Sequence, residues 1–301
     1  MSILSKITSV FLLILGFIYT SCKNNNKEQL PEKTINETIK IEDTKAPHLD
    51  LIWETDSVFK TPESVLFDKE REVIYVSNVN LNPRKKDNNG FISKLAKDGR
   101  IIELHWIENM SSPKGLGLYG NTLYVTDVDE IIAINVDSGS IIKKYTVSDA
   151  GMLNDISIDT DGTVYFTDMD AGKILTLKDD TISLWKQELI DPNGIFVEKN
   201  RVLIASKDGN FTAYDKTSKE ATVLCKGINK GDGVELMNSG NYLVSDWSGE
   251  LFLIKNNAPI SMLSTKENNI QTADIGIIKD EDIVLIPTFF NNKVVAYKVN
   301  E

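Results

Sequence analysis

Six short segments of the sequence set a carboxylate, carboxamide or amine just ahead of an apolar residue: Glu63, Lys114, Asn154, Asn193, Asp232 and Asp274. Brought to one small cavity, three carboxylates and two carboxamides would repel one another and be poorly solvated unless a cation sat among them. Their donor atoms are oxygens, with neither sulfur nor imidazole nearby. The two histidines, His48 and His105, are too few for a three-histidine zinc site. This is hard-cation chemistry: calcium first, magnesium or manganese as alternatives, and not copper or structural zinc.

What must position these residues is an internal repeat. Each candidate opens a unit: Pro62-Glu63-Ser64-Val65, Pro113-Lys114-Gly115-Leu116, Leu153-Asn154-Asp155-Ile156, Pro192-Asn193-Gly194-Ile195, Gly231-Asp232-Gly233-Val234 and Ala273-Asp274-Ile275-Gly276. The spacings between candidates are 51, 40, 39, 39 and 42 residues. A second strand-like run follows each opening, for example Val164-Tyr165-Phe166-Thr167-Asp168, and turns such as Asp161-Gly162 and Ser239-Gly240 separate the two. A unit of about 40 residues holding three or four short strands is a propeller blade. The expected fold is therefore all-β, a six-bladed β-propeller over residues 49–301, with the openings of its innermost strands gathered at one end of the central tunnel.

The last unit lacks a fourth strand, and Leu51-Ile52-Trp53-Glu54 is expected to supply it and so join the two ends of the chain. The longer first spacing comes from a polar insertion, residues 80–90, placed to cover the tunnel mouth. Asp127, Asp168 and Asp246, each closing a second strand, read as acceptors for backbone N–H groups. Trp185 and Trp247 read as packing between blades. Lys114 reads as a solvated charge or an ion partner of Asp274, and both line the cavity as substrate contacts.

On these motifs the chain resembles the calcium-dependent six-bladed propellers that include gluconolactonase and regucalcin, over roughly residues 51–299. Pro62-Glu63-Ser64 resembles the family's metal-binding Glu-Ser, Asn154-Asp155 its Asn-Asp, Pro192-Asn193-Gly194 its Asn-Gly ligand, and Gly231-Asp232-Gly233 its Asp-Gly. The resemblance implies that Glu63, Asn193 and Asp232 bind the metal and that Asn154 binds metal or substrate. It further implies a hydrolase of lactones or related esters, with the metal as Lewis acid and Asp232 as general base or nucleophile. Where the sugar lactonases of the family carry an Arg just before the first Asn, this chain has Met152-Leu153, which argues against a sugar lactone. A non-enzymatic binding propeller and a metal serving stability alone are the competing readings.

The net charge of -11, with no basic block, excludes nucleic acid as the main partner and leaves a small molecule. Residues 1–22 have the form of an export signal ending in Tyr19-Thr20-Ser21-Cys22, which resembles a bacterial lipobox with Tyr in place of Leu. Lipidation of Cys22 would anchor an exported monomer to a membrane; the alternative is an ordinary signal with a chance cysteine. Residues 23–48 are too polar to fold and read as a tether. Cys225, in a strand-like run, reads as a buried small apolar residue.

Overall fold

The computed structural model describes residues 46–301. The expected signal, most of the tether and Cys22 fall outside them. Six antiparallel sheets of four strands each follow one another along the chain, one for each sequence repeat. The fold is a six-bladed β-propeller. Its innermost strands are Pro62–Asp68, Pro113–Tyr119, Leu153–Ile158, Pro192–Val197, Gly231–Leu236 and, shortest, Gly276–Ile278.

The sixth blade is completed from the other end of the chain. Strand His48–Glu54 pairs antiparallel with Val294–Asn300, His48 opposite Asn300 and Glu54 opposite Val295. His48 thus begins a strand rather than ending a tether. The other histidine, His105, lies on Ile101–Met110, the outermost strand of the first blade.

Burial follows position in the blade. Inner and second strands are apolar on both sides because neighbouring blades pack face to face, as with Val65, Ile74, Val76 and Leu95 against Leu285, Val294 and Ala296. Outermost strands such as Ser140–Thr146 are largely exposed. Cys225 is buried in one such inter-blade cluster, which includes Phe211 and Phe252.

Asp127, Asp168 and Asp246 do fasten the turns. Asp168 accepts from the backbone N–H groups of Gly151 and Met152 at 2.9 Å and of Ala171 at 3.1 Å. Asp127 accepts from Ser111 at 2.7 Å, and Asp246 from Lys230 at 3.0 Å. Asn78 completes the series by accepting from Lys60 at 3.0 Å. These side chains replace partners the turning backbone cannot find in the sheet. Asp168→Ala is expected to strand three amides in a partly buried turn and lower stability by about 2 kcal/mol in urea unfolding, with Asp168→Asn recovering part of the loss.

Candidate functional site

A repeated irregularity in pairing aims the candidate residues. In the first blade Pro62 faces Asn78 while Val65 faces Val76, so the inner strand carries one residue more than its partner. The same step recurs between Pro113 and Leu116, Leu153 and Ile156, Pro192 and Ile195, and Gly231 and Val234. Such a bulge sets two successive residues against one and redirects their side chains. The first residue of each pair, Glu63, Lys114, Asn154, Asn193 or Asp232, lines the cavity at the tunnel mouth. The second lines a separate chamber, as Ser64 and Asp155 do, or is a glycine.

The glycines are there because the next blade leaves no room. A Cβ on Gly194 would overlap the carbonyl oxygen of Asp232, and one on Gly233 would strike the backbone nitrogen of Ile275. Opposite the bulge a hydroxyl stitches adjacent blades. Thr167 Oγ1 accepts from Asp155 N at 3.0 Å and donates to the Asn193 carbonyl at 2.9 Å. Ser245 Oγ likewise accepts from Gly233 N and donates to the Ala273 carbonyl, both at 2.8 Å. The backbone that carries Asn193 is thereby held from the blade before it.

At the mouth the Asn154 amide donates to Asn193 Oδ1, and Asn193 Nδ2 donates to Asp232 Oδ1 at 2.8 Å and to the Gly231 carbonyl at 3.2 Å. Glu63 is buried, and its Oε2 has no hydrogen-bond partner among the described residues. Burial, with Asp232 and Asp274 nearby, pushes the Glu63 carboxyl well above the usual range against the pull of Lys114 and Lys207. Burial likewise raises Asp232 to about 7, opposed by Lys207 and the Asn193 amide. Two carboxyls that resist ionising side by side, one with an orphaned oxygen, share the cavity with two carboxamides, and together they are a donor set a hard divalent cation fits. Among the described residues no three His, Cys, Asp or Glu side chains form a metal-holding group, so the carboxamides would have to serve as ligands.

Two expectations need correction. Asp274 is not at the mouth. Its N–H donates to the Glu63 carbonyl at 2.9 Å, and it bridges Ser64 in parallel pairing. It therefore occupies the second position of its pair, with Ala273 in the first. Its side chain accepts from Ser64 Oγ at 2.5 Å and faces the other chamber with Asp155, so only two carboxylates converge at the mouth. Lys114, in turn, is 2% exposed and not solvated. Its Nζ donates to the Ser112 carbonyl at 3.0 Å, and burial lowers it to about 8 against the attraction of Glu63.

The cavity, about 370 Å³, has a rim the motifs did not announce. Met169, Lys207, Trp247 and Phe289 line it; the first three directly follow the last residue of a second strand, and Phe289 lies two residues past the end of one. Trp247 is accordingly more than inter-blade packing: its ring meets Phe289 at 5.7 Å and Phe290 at 6.1 Å, both edge to face. Trp185 does pack between blades, against a cluster that includes Ile195, Val202 and Ile204 of the fourth, and meets Tyr165 of its own blade edge to face at 5.8 Å. The insertion reaches the mouth as expected. Its Pro83 and Arg84 line the cavity, with Arg84 paired to Asp170 of the third blade and Lys86 to Asp129 of the second.

Six blades around a tunnel with a polar mouth define a propeller with a small-molecule-sized cavity, and solved structures share this form. No protein-family profile and no curated protein matches the chain. A gluconolactonase from Xanthomonas campestris superimposes with a TM-score of 0.67 at 12% identity, covering 84% of this chain and 90% of that one. Virginiamycin B lyase from Staphylococcus aureus, solved in a catalytically inactive form with quinupristin, gives 0.58 at 15% identity, covering 84% and 99%. A chain of a nidogen/laminin complex gives 0.60 at 18% identity, covering 72% and 84%. At these identities the likeness is one of fold.

Proposed function

We propose that the protein is a calcium-dependent hydrolase of lactones or related esters, acting at the tunnel mouth. The observation that carries this reading is the buried, unpartnered Glu63 Oε2 beside Asp232 and two carboxamides. Glu63, Asn193 and Asp232, with Asn154, would hold the ion, magnesium or manganese being the alternatives. Bound there, a divalent ion supplies Lewis-acid polarisation of a substrate oxygen. Asp232, one oxygen of which already accepts from Asn193, takes the proton of the attacking water with the other. The Lys114 ammonium, held by Ser112, offers its remaining protons to oxygen on which charge develops. Gluconolactonase and lyase folds among the neighbours support an enzyme of this general kind. The same reading places the protein outside the cytoplasm, anchored through lipid on Cys22.

Calcium is expected to raise the melting temperature of the full chain, by the equivalent of about 2.7 kcal/mol at a hundred times its dissociation constant. The gain should depend on pH. Metal-free, the folded Asp232 keeps its proton up to about pH 7, whereas the unfolded carboxyl, at 3.8, has already released it. Metal-free stability therefore falls as pH rises from about 4 to 7. The ion needs the deprotonated form, so its stabilisation should be larger at pH 8 than at pH 5.5. Absence of a shift with calcium, magnesium and manganese alike would sink the metal reading. Hydrolysis across a panel of lactones and aryl esters then tests the activity.

A second reading is favoured by the chain of bonds from Asn154 through Asn193 to Asp232, which satisfies both amides without an ion. On it the mouth binds a ligand and turns nothing over. Ligand binding with no hydrolysis and no response to divalent ions would select it.

A further inference from the structure

The rim of the mouth carries two chemistries. On it stand Trp247, Phe289 and Phe290, the last 58% exposed. Phe289 holds its place from a left-handed backbone (φ 43°) that a bulky residue rarely adopts. Strain of that sort persists where the surroundings fix a side chain for a purpose, and here it sets the ring against Trp247. On the same rim stand Lys207 and, next to Trp247, Lys230, both exposed. Among the described residues the Lys207 ammonium has neither an ion pair nor a hydrogen bond, and Lys230 Nζ lies 5.6 Å over the Trp247 ring. In a chain of net charge -11, two lysines at the mouth are a local concentration of positive charge.

Resting on the mouth being the substrate site, we infer that it selects molecules joining an anionic group to a flat apolar body. Lys207 and Lys230 take the anion, and Trp247, Phe289 and Phe290 take the ring. The arrangement fits the chemistry of both partners. Ammonium groups on flexible stems bind an anion as point charges. Edge-to-face aromatics offer a ring-sized apolar wall, and a cavity of about 370 Å³ has room for a small fused ring. A polyhydroxylated sugar would leave that wall covered by hydroxyls with nothing to pair with, since Met152 and Met169 continue the apolar surface inward. These rim residues act on recognition and leave the reacting atoms to the residues below.

Two probes of the same shape test this, coumarin and coumarin-3-carboxylate, titrated by fluorescence into the full chain with calcium and again with chelator. The carboxylate should bind about tenfold or more tightly than coumarin in both conditions, as a charge-assisted contact gives. In the double variant K207A/K230A the ratio should fall to within about threefold. Trp247→Ala should weaken both probes together and keep the ratio. Equal binding of the two probes, a ratio that survives K207A/K230A, a ratio that disappears with chelator, or no binding of either overturns the inference. The carboxylate preference persisting in a protein that neither hydrolyses lactones nor responds to calcium would defeat the hydrolase reading and leave this one standing.

Discussion

Gly194→Ala is expected to cost about 3 kcal/mol of stability and to abolish function in whatever protein still folds. The added methyl meets the carbonyl oxygen of Asp232, a backbone atom in the next blade that cannot swing aside as a side chain would. Relief requires the fourth and fifth inner strands to part. That movement breaks the 2.8 Å bond from Asn193 to Asp232 and loosens the stitch from Thr167 to the Asn193 carbonyl. A neighbouring control separates crowding from backbone freedom. Gly240 has a positive φ of 86° but open space around its missing Cβ, so Gly240→Ala should show only the smaller penalty of backbone strain. Urea unfolding of both variants checks the contrast, and equal losses would mean that blade-to-blade contact at Gly194 is looser than the structure has it.

Asp232→Asn should lower hydrolysis by about a thousandfold, the scale of losing a general base, and should remove the response to calcium. It should do so without weakening the metal-free protein at pH 8. The carboxamide has the shape of the carboxylate and still accepts from Asn193 through its oxygen, while a buried charge beside Glu63 is gone. Loss of activity with stability retained separates chemistry from misfolding. Calcium-dependent turnover in this variant would assign the proton transfer elsewhere, with Glu63 the next group to test.

The ring of blades was legible because its period is carried by local chemistry: a two-residue bulge, a hairpin turn and a strand end closed by Asn78, Asp127, Asp168 or Asp246. Five of six mouth positions followed from it. The sixth was set one residue late because Ala273 has no polar group, which made Asp274 look like the opening residue, while the pairing of Ser64 with Asp274 shows the true alignment. A one-residue slip in a strand sends a side chain to the opposite surface. Lys207, Trp247 and Phe289 were missed for a different reason. They share no residue type, only a place after the second strand, and a place carries no compositional signal. Lys114 looked solvated because lysine is mostly exposed in folded chains; that a ring of six blades would bury it follows only from the assembled fold.

The strand His48–Glu54 is the first of the ring along the chain, and its partner is the last. Its partner, Val294–Asn300, lies about 250 residues later, so the opening strand of the ring must wait until nearly the whole chain has been synthesised. Bringing ends that far apart together costs about 5 kcal/mol of chain entropy, met only once the blades between them have stacked. Until then the free edge of the sixth blade offers unpaired backbone to any other strand, including the same segment of a neighbouring nascent chain. Removing residues 46–54 should therefore act on yield and self-association before it acts on the mouth, since the deleted strand lies at the outside of the blade, farthest from the tunnel.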